Sequence, residues 1–174
     1  MLPFGNLAER HPGLTHAIAE NYHEAARVCL HRHHNSPTEF SIRNGGDTLE
    51  AIAVWDPPDR RVVAAWGNDT DATEAGGYAC AIAAVELAEG LFAVRRAETL
   101  TGADYYIANR EVDIDDLESC LRLEVSGTDA PTRATLEYRL KEKIEQTRRG
   151  RSNLPAFTAV VGFRVQLILI ERVL

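Results

Sequence analysis

From about Leu14 to His31 the apolar residues Leu14, Ala17, Ile18, Tyr22, Ala25, Ala26, Cys29 and Leu30 return at spacings of three and four, which predicts one buried face of an amphipathic helix. Pro12-Gly13 marks its start. After Asn35-Ser36-Pro37 the pattern changes. Glu39 to Arg43, Leu49 to Trp55 and Arg61 to Trp66 read as short strands separated by Asn44-Gly45-Gly46-Asp47 and Asp56-Pro57-Pro58-Asp59. An antiparallel meander is expected of them, with Trp55 and Trp66 as cross-strand packing partners. Asp69 to Thr73 is polar and rich in capping residues, and the alanine-rich run from about Tyr78 to Gly90 predicts a helix closed by its glycine.

Beyond Gly90, Leu91-Phe92-Ala93-Val94 and Tyr105-Tyr106-Ile107 flank a turn near Thr99-Leu100-Thr101-Gly102, as in a β-hairpin. Asp113-Ile114-Asp115-Asp116 forms an acidic connection. In the next strand, alternation sets Cys120, Arg122 and Glu124 on one face and Leu121, Leu123 and Val125 on the other. Thr132 to about Arg149 is expected to be helical, with Pro131 near its first turn, Leu136, Leu140 and Ile144 spaced by four, and Gly150 as a stop. Phe157 to Phe163 and Val165 to Ile170 then predict buried strands. Left unpaired, the strand between Arg164 and Leu174 is an open edge, which raises the expectation of a homodimer through it.

These elements predict one α/β domain of 174 residues, in which an N-terminal helix and β-meander (1–73) precede an α/β core (74–174). The start of the chain lacks the pattern of a signal peptide, and no apolar run is long enough to span a bilayer, so a cytoplasmic location is expected. Cys29, Cys80 and Cys120 are far apart and fit buried thiols better than a zinc or redox pair.

The net charge of −7 is unevenly distributed: residues 1–90 carry 6 Lys+Arg against 13 Asp+Glu, and residues 91–174 carry 13 against 13. Arg133, Arg139, Lys141, Lys143, Arg148, Arg149 and Arg151 face only Glu137, Glu142 and Glu145 in the same stretch, a surplus suited to a phosphate-facing surface or to a solvated helix with pairs such as Glu137 to Lys141.

The residues with most chemical content are Asp104, in Gly102-Ala103-Asp104, and Glu124, in Glu124-Val125-Ser126 twenty residues later, each set in what reads as a strand. Carboxylates on neighbouring strands suit a hard divalent cation that neutralises a phosphate and acidifies water. The order helix, strand, strand with Asp104, strand with Glu124, helix, strand over roughly residues 74–164 resembles the core of the PD-(D/E)xK nuclease superfamily. That resemblance implies a mixed central sheet flanked by helices, with a restriction-endonuclease-like core. It also implies Mg²⁺ or Mn²⁺ held by Asp104, Glu124 and a helix glutamate, Glu86, for which Glu89 is a substitute one turn on. Hydrolysis of DNA in restriction, repair or defence would follow. Ser126 stands where the motif usually has lysine, so the cation is sought on the following helix, at Lys143, Lys141 or Arg139, with Gln146 facing the same site.

Other readings compete. Asp104 as a hairpin cap, with Glu124 paired to Arg122 or Arg95, is an ordinary sheet surface. A non-catalytic scaffold of the same fold would offer its acidic N-terminal half to a basic protein partner, or act as a DNA mimic. The run His31-Arg32-His33-His34, with His16 and His23 upstream, offers imidazoles but no His-x-x-x-His pair, so a polar helix end is expected over a metal site. No histidine follows residue 34 and no Gly-x-Ser-x-Gly occurs, which argues against a serine hydrolase; the Gly-rich segments match neither a P-loop nor a dinucleotide fingerprint.

Overall fold

Helix α1 (His16–His33) starts where the Thr15 side chain accepts the Ile18 N–H, and it turns Ala19, Ala25, Ala26, Cys29 and Leu30 inward. The chain then pairs β1 (Thr38–Asn44) with β2 (Asp47–Ala53) in an antiparallel hairpin. This computed structural model describes residues 1–113 and 115–174, so Ile114 of the acidic connection lies outside the described residues.

The third strand expected of a meander does not form. Arg60–Ala65 is a short helix, α2, because the Asp59 side chain caps it by accepting the Val62 N–H. Its valines leave no strand to complete, and Trp66 ends the helix with its indole N–H on Glu24 at 2.9 Å instead of facing Trp55 across a sheet. Trp55 is buried by itself in the core.

Helix α3 (Asp69–Glu89) begins earlier than its alanine-rich part, because Asn68 accepts the N–H groups of Thr70 and Asp71. It closes at Gly90, whose φ of 66° an L side chain rarely adopts. Its small residues admit backbones on two sides: Gly76 lies against Ala26 of α1, and Gly77 against Gly127 in the sheet. Strands β3 (Phe92–Arg96), β4 (Tyr105–Ala108) and β5 (Leu121–Thr128) follow, then α4 (Arg133–Arg148), β6 (Ala156–Gly162) and β7 (Leu167–Val173).

The seven strands form one mixed sheet in the order β2-β1-β7-β6-β5-β4-β3. β3, β4 and β5 are antiparallel neighbours, whereas β5 joins β6 in parallel through α4. β7 is paired on both sides, antiparallel to β6 and parallel to β1. It is therefore not the open edge on which the homodimer was expected, because the N-terminal hairpin returns to cover it.

The alternation of the central strands assigns each residue to a layer. Leu123 and Val125 of β5, Phe157, Ala159 and Val161 of β6, and Ile168 and Ile170 of β7 join the main core with α1 and α3. On the opposite face Val160, Leu167 and Leu169 meet Leu136 and Leu140 of α4. The three cysteines are free and buried. No helix among the described residues is long and apolar enough to cross a membrane.

Candidate functional site

Where β4 begins, it leaves the outer half of β5 open on that side, while β6 pairs the other side along its length and α4 crosses above. Asp104 immediately precedes β4, anchored by its own N–H on Leu123 O at 2.8 Å and by its carbonyl, which accepts the Ala97 N–H at 2.9 Å. Its Oδ2 accepts the Val125 N–H at 2.8 Å, replacing the ladder bond that β4 is too short to make. Its Oδ1 accepts the Tyr78 hydroxyl at 2.8 Å, with Arg96 Nη2 3.4 Å away. Both groups of a strand residue point to the same edge, so the Val125 carbonyl also turns toward this opening.

Glu124 lies on the α4 side of β5, as the alternation with Arg122 requires. It is nearly buried and accepts Lys143 Nζ on Oε1 at 2.8 Å. Lys143 also reaches Gln146 Oε1 at 3.1 Å, and Arg139, one turn earlier on α4, donates from Nε to Ser126 Oγ at 3.0 Å. The face of α4 spaced by three and four is therefore divided between apolar residues set on β6 and β7 and cations set on β5. A cleft of about 660 Å³ opens between these elements, lined by Asp104, Glu124, Lys143 and Gln146 together with Glu74, Tyr78, Arg96, Glu98 and Arg149.

The walls of the cleft are tied by Arg122, which shares this face of β5 with Glu124 and Ser126. Its guanidinium donates to Leu154 O at 2.9 Å and Thr101 O at 2.6 Å, joining the turn before β6 to the loop before Asp104. Burial lowers its pKa, and its acceptors are main-chain carbonyls, not Glu124. Gly102 in the same loop has φ 70° and lies against Gly150 beyond α4, where a Cβ would stand 2.8 Å from Gly150 Cα.

Burial is the main reason why the Glu124 carboxyl is raised above its ordinary range; the Asp104 charge adds to the rise, and Lys143 opposes it. A raised folded value means that the folded state holds this proton more tightly than the unfolded state. The resulting stability is fully present below the unfolded carboxylate value and is lost as pH rises through the folded one. In metal-free buffer, the melting temperature of wild type should therefore fall relative to Glu124→Gln as pH increases over that interval. Parallel curves for the two proteins would contradict it. Burial, then the Asp104 charge, pushes the Tyr78 phenol far up, so it stays protonated and donates.

In comparison with known proteins, no family model, curated protein or solved structure matches the chain.

Of the residues singled out from sequence, Asp104, Glu124, Lys143 and Gln146 meet in one cleft. Glu86 does not. It receives Arg10 Nε at 2.8 Å and His11 Nε2 at 2.9 Å near the end of α3, clamping the N-terminal segment. Glu74 lines the cleft instead, twelve residues earlier and about 18 Å along the axis at 1.5 Å per residue. The reason is where α3 touches the sheet: β5 passes it at Thr73 and Gly77. Glu89, the substitute, is taken by Asn44. Lys141 does not line the cleft: two positions from Lys143, it lies on the exposed flank of α4 beside Glu145. Glu137, its expected partner, instead meets Arg43 at 3.0 Å and Arg133 at 3.2 Å.

Two members of the histidine run make contacts within the fold. His33 lies 3.0 Å from Asp129, which also accepts Arg32 at 2.6 Å, and His34 Nε2 meets the Phe163 carbonyl at 2.7 Å. Tyr78, Arg96 and Glu74 escaped the sequence reading, and Arg149 entered it only as one of the basic residues of a phosphate-facing surface. Tyr78 had a faint signal, being a tyrosine at the start of an otherwise small-residue run.

Proposed function

We propose that this chain is a divalent-metal-dependent phosphodiesterase of the PD-(D/E)xK type, acting on DNA. The observation that carries the reading is the 2.8 Å bond from Lys143 to Glu124 in the cleft that Asp104 also lines, which brings from α4 an ammonium that Ser126 does not supply. The succession α3, β3, β4, β5, α4, β6, with a parallel crossover to the last strand, supports it.

The donor set fits magnesium or manganese. Among the described residues no three His, Cys, Asp or Glu side chains converge as a closed metal cage. Magnesium seldom needs one, since one or two carboxylates leave its other positions to water and phosphate. Asp104 and Glu124 would hold the ion, and the Val125 carbonyl is the next oxygen on the same strand edge. Bound there, the cation neutralises phosphate charge and lowers the pKa of water.

The protein's own groups do the rest. Asp104 is held rigid by donors on both oxygens, and Glu124 must exchange its bond to Lys143 for one to the cation. Lys143 presents its ammonium to phosphate oxygens as negative charge builds on them. Arg96 and Arg149, on opposite walls, attract the flanking phosphates.

One observation favours the non-catalytic scaffold: the cleft carries Glu74, Glu98, Asp104 and Glu124 against Arg96, Lys143 and Arg149, a balance better suited to a basic protein than to bare DNA. Isothermal titration of Mg²⁺ and Mn²⁺ into wild type and Glu124→Ala, beside cleavage of plasmid DNA, separates the two. The nuclease reading expects binding and cleavage in wild type and loss of both in the variant. Wild type that neither binds the ions nor cleaves would leave the scaffold.

A further inference from the structure

The torsion that sets the plane of an aspartate carboxylate is broad and two-fold, so a lone Asp offers a cation a spread of orientations. Asp104 has no such freedom. The Val125 N–H fixes Oδ2, and the Tyr78 hydroxyl fixes Oδ1, each at 2.8 Å. The first of these donors is main chain and would be present with any residue at 125. The second is a choice of side chain, made on a helix that is otherwise nearly all small residues where it meets the sheet.

The Tyr78 ring cannot swing away. It stacks on Tyr22 at 4.8 Å and meets the edge of Tyr105 at 5.9 Å, while the Arg96 guanidinium covers it at 4.8 Å and bonds its hydroxyl at 3.2 Å. Tyr22 and Tyr105 are themselves joined through their hydroxyls at 2.8 Å. Four elements, α1, α3, β3 and β4, thus hold one phenol against one carboxylate oxygen. Each carboxylate oxygen has two lone-pair directions: Oδ1 faces the Tyr78 hydroxyl and, at 3.4 Å, Arg96 Nη2, whereas Oδ2 has the Val125 N–H alone and keeps its second direction for a cation.

We propose that Tyr78 is a positioning residue that presets the Asp104 carboxylate for a divalent cation through its hydroxyl bond to Oδ1. This rests on the metal site proposed above and extends it to α3, the element that Glu86 fails to connect. Partners that orient metal ligands in this way contribute about 10–100-fold to affinity.

The test is titration of Mn²⁺, followed by electron paramagnetic resonance, into the full chain as wild type, Tyr78→Phe and Tyr22→Phe. Phenylalanine keeps the ring and its packing, and the Tyr22 variant loses a hydroxyl from the same cluster without touching Asp104. The expected result is an affinity loss of about 10–100-fold in Tyr78→Phe alone. In wild type and Tyr22→Phe, Mn²⁺ should also perturb a tyrosine in the near-ultraviolet absorbance, a signal absent from Tyr78→Phe. Equal affinities in all three proteins, equal losses in both variants, or Mn²⁺ binding to wild type with no tyrosine signal would overturn the role of Tyr78 and leave the metal site standing. No Mn²⁺ binding by wild type would overturn the site itself, and this inference with it.

Discussion

Replacing Lys143 with methionine should leave Mn²⁺ binding intact while lowering DNA cleavage by roughly 10²–10³-fold, the usual cost of removing one preorganised charge donor. The two effects separate because Lys143 touches Glu124 but is not a candidate oxygen ligand. In the metal-free protein its ammonium neutralises a buried carboxylate, so it competes with a cation for the same oxygen. Methionine keeps an unbranched stem in the gap between α4 and β5 and removes that competitor, so Mn²⁺ affinity should stay level or rise. Titration of Mn²⁺ and a cleavage assay on the same preparations read both quantities. Unchanged cleavage would transfer the role to another cation, Arg149 in the cleft wall or Arg139 at Ser126. Lost metal binding would make Lys143 a structural partner of Glu124.

Gly127→Ala should be the most damaging small substitution in the sheet. Its Cβ would stand 1.8 Å from the carbonyl oxygen of Thr73 and 3.0 Å from Gly77 Cα, both main chain. Neither neighbour is a flexible side chain that can turn aside, so α3 as a whole must lift from β5. Overpacking a core usually costs 1–3 kcal/mol, and a clash between backbones belongs at or above the top of that range, about 3 kcal/mol. For a chain of this size that lowers Tm by roughly 6–12 °C. A thermal melt checks it, and an unchanged Tm would mean that α3 does not press on β5 as closely as the structure has it. Because Tyr78 and Glu74 ride on the same helix, the variant should also weaken the cleft.

Residues 60–66 show how a local pattern misleads. Arg61-Val62-Val63-Ala64-Ala65-Trp66 has the β-branched content of a strand, but beside a capping Asp59 it turns helical, and the edge strand β2 instead receives the N-terminal segment through Leu2 N–H on Ile52 O at 2.8 Å. Glu86 misleads in another way. It sits on the expected helix, and only the point at which α3 crosses β5 decides that residue 74, not 86, is level with the cleft. Lys143 and Lys141 were equal candidates in sequence. Two residues turn an α-helix by about 200°, so only one of them can face the sheet.

What the sequence determined by itself is what depends on near neighbours: the helical period of α1 and α4, the turns and caps between elements, the alternation that sets Arg122 and Glu124 opposite Leu123 and Val125, and the largely apolar character of β6 and β7. These follow from patterns of two and of three to four residues, short enough to be read along a chain. The tertiary structure alone decided which strands sit side by side, that β7 is interior, that Tyr78 and Lys143 reach Asp104 and Glu124, and that Glu86 does not. Such contacts join residues far apart in sequence, and their partners are selected by how helices and sheet fill one shared core. No local period records that choice.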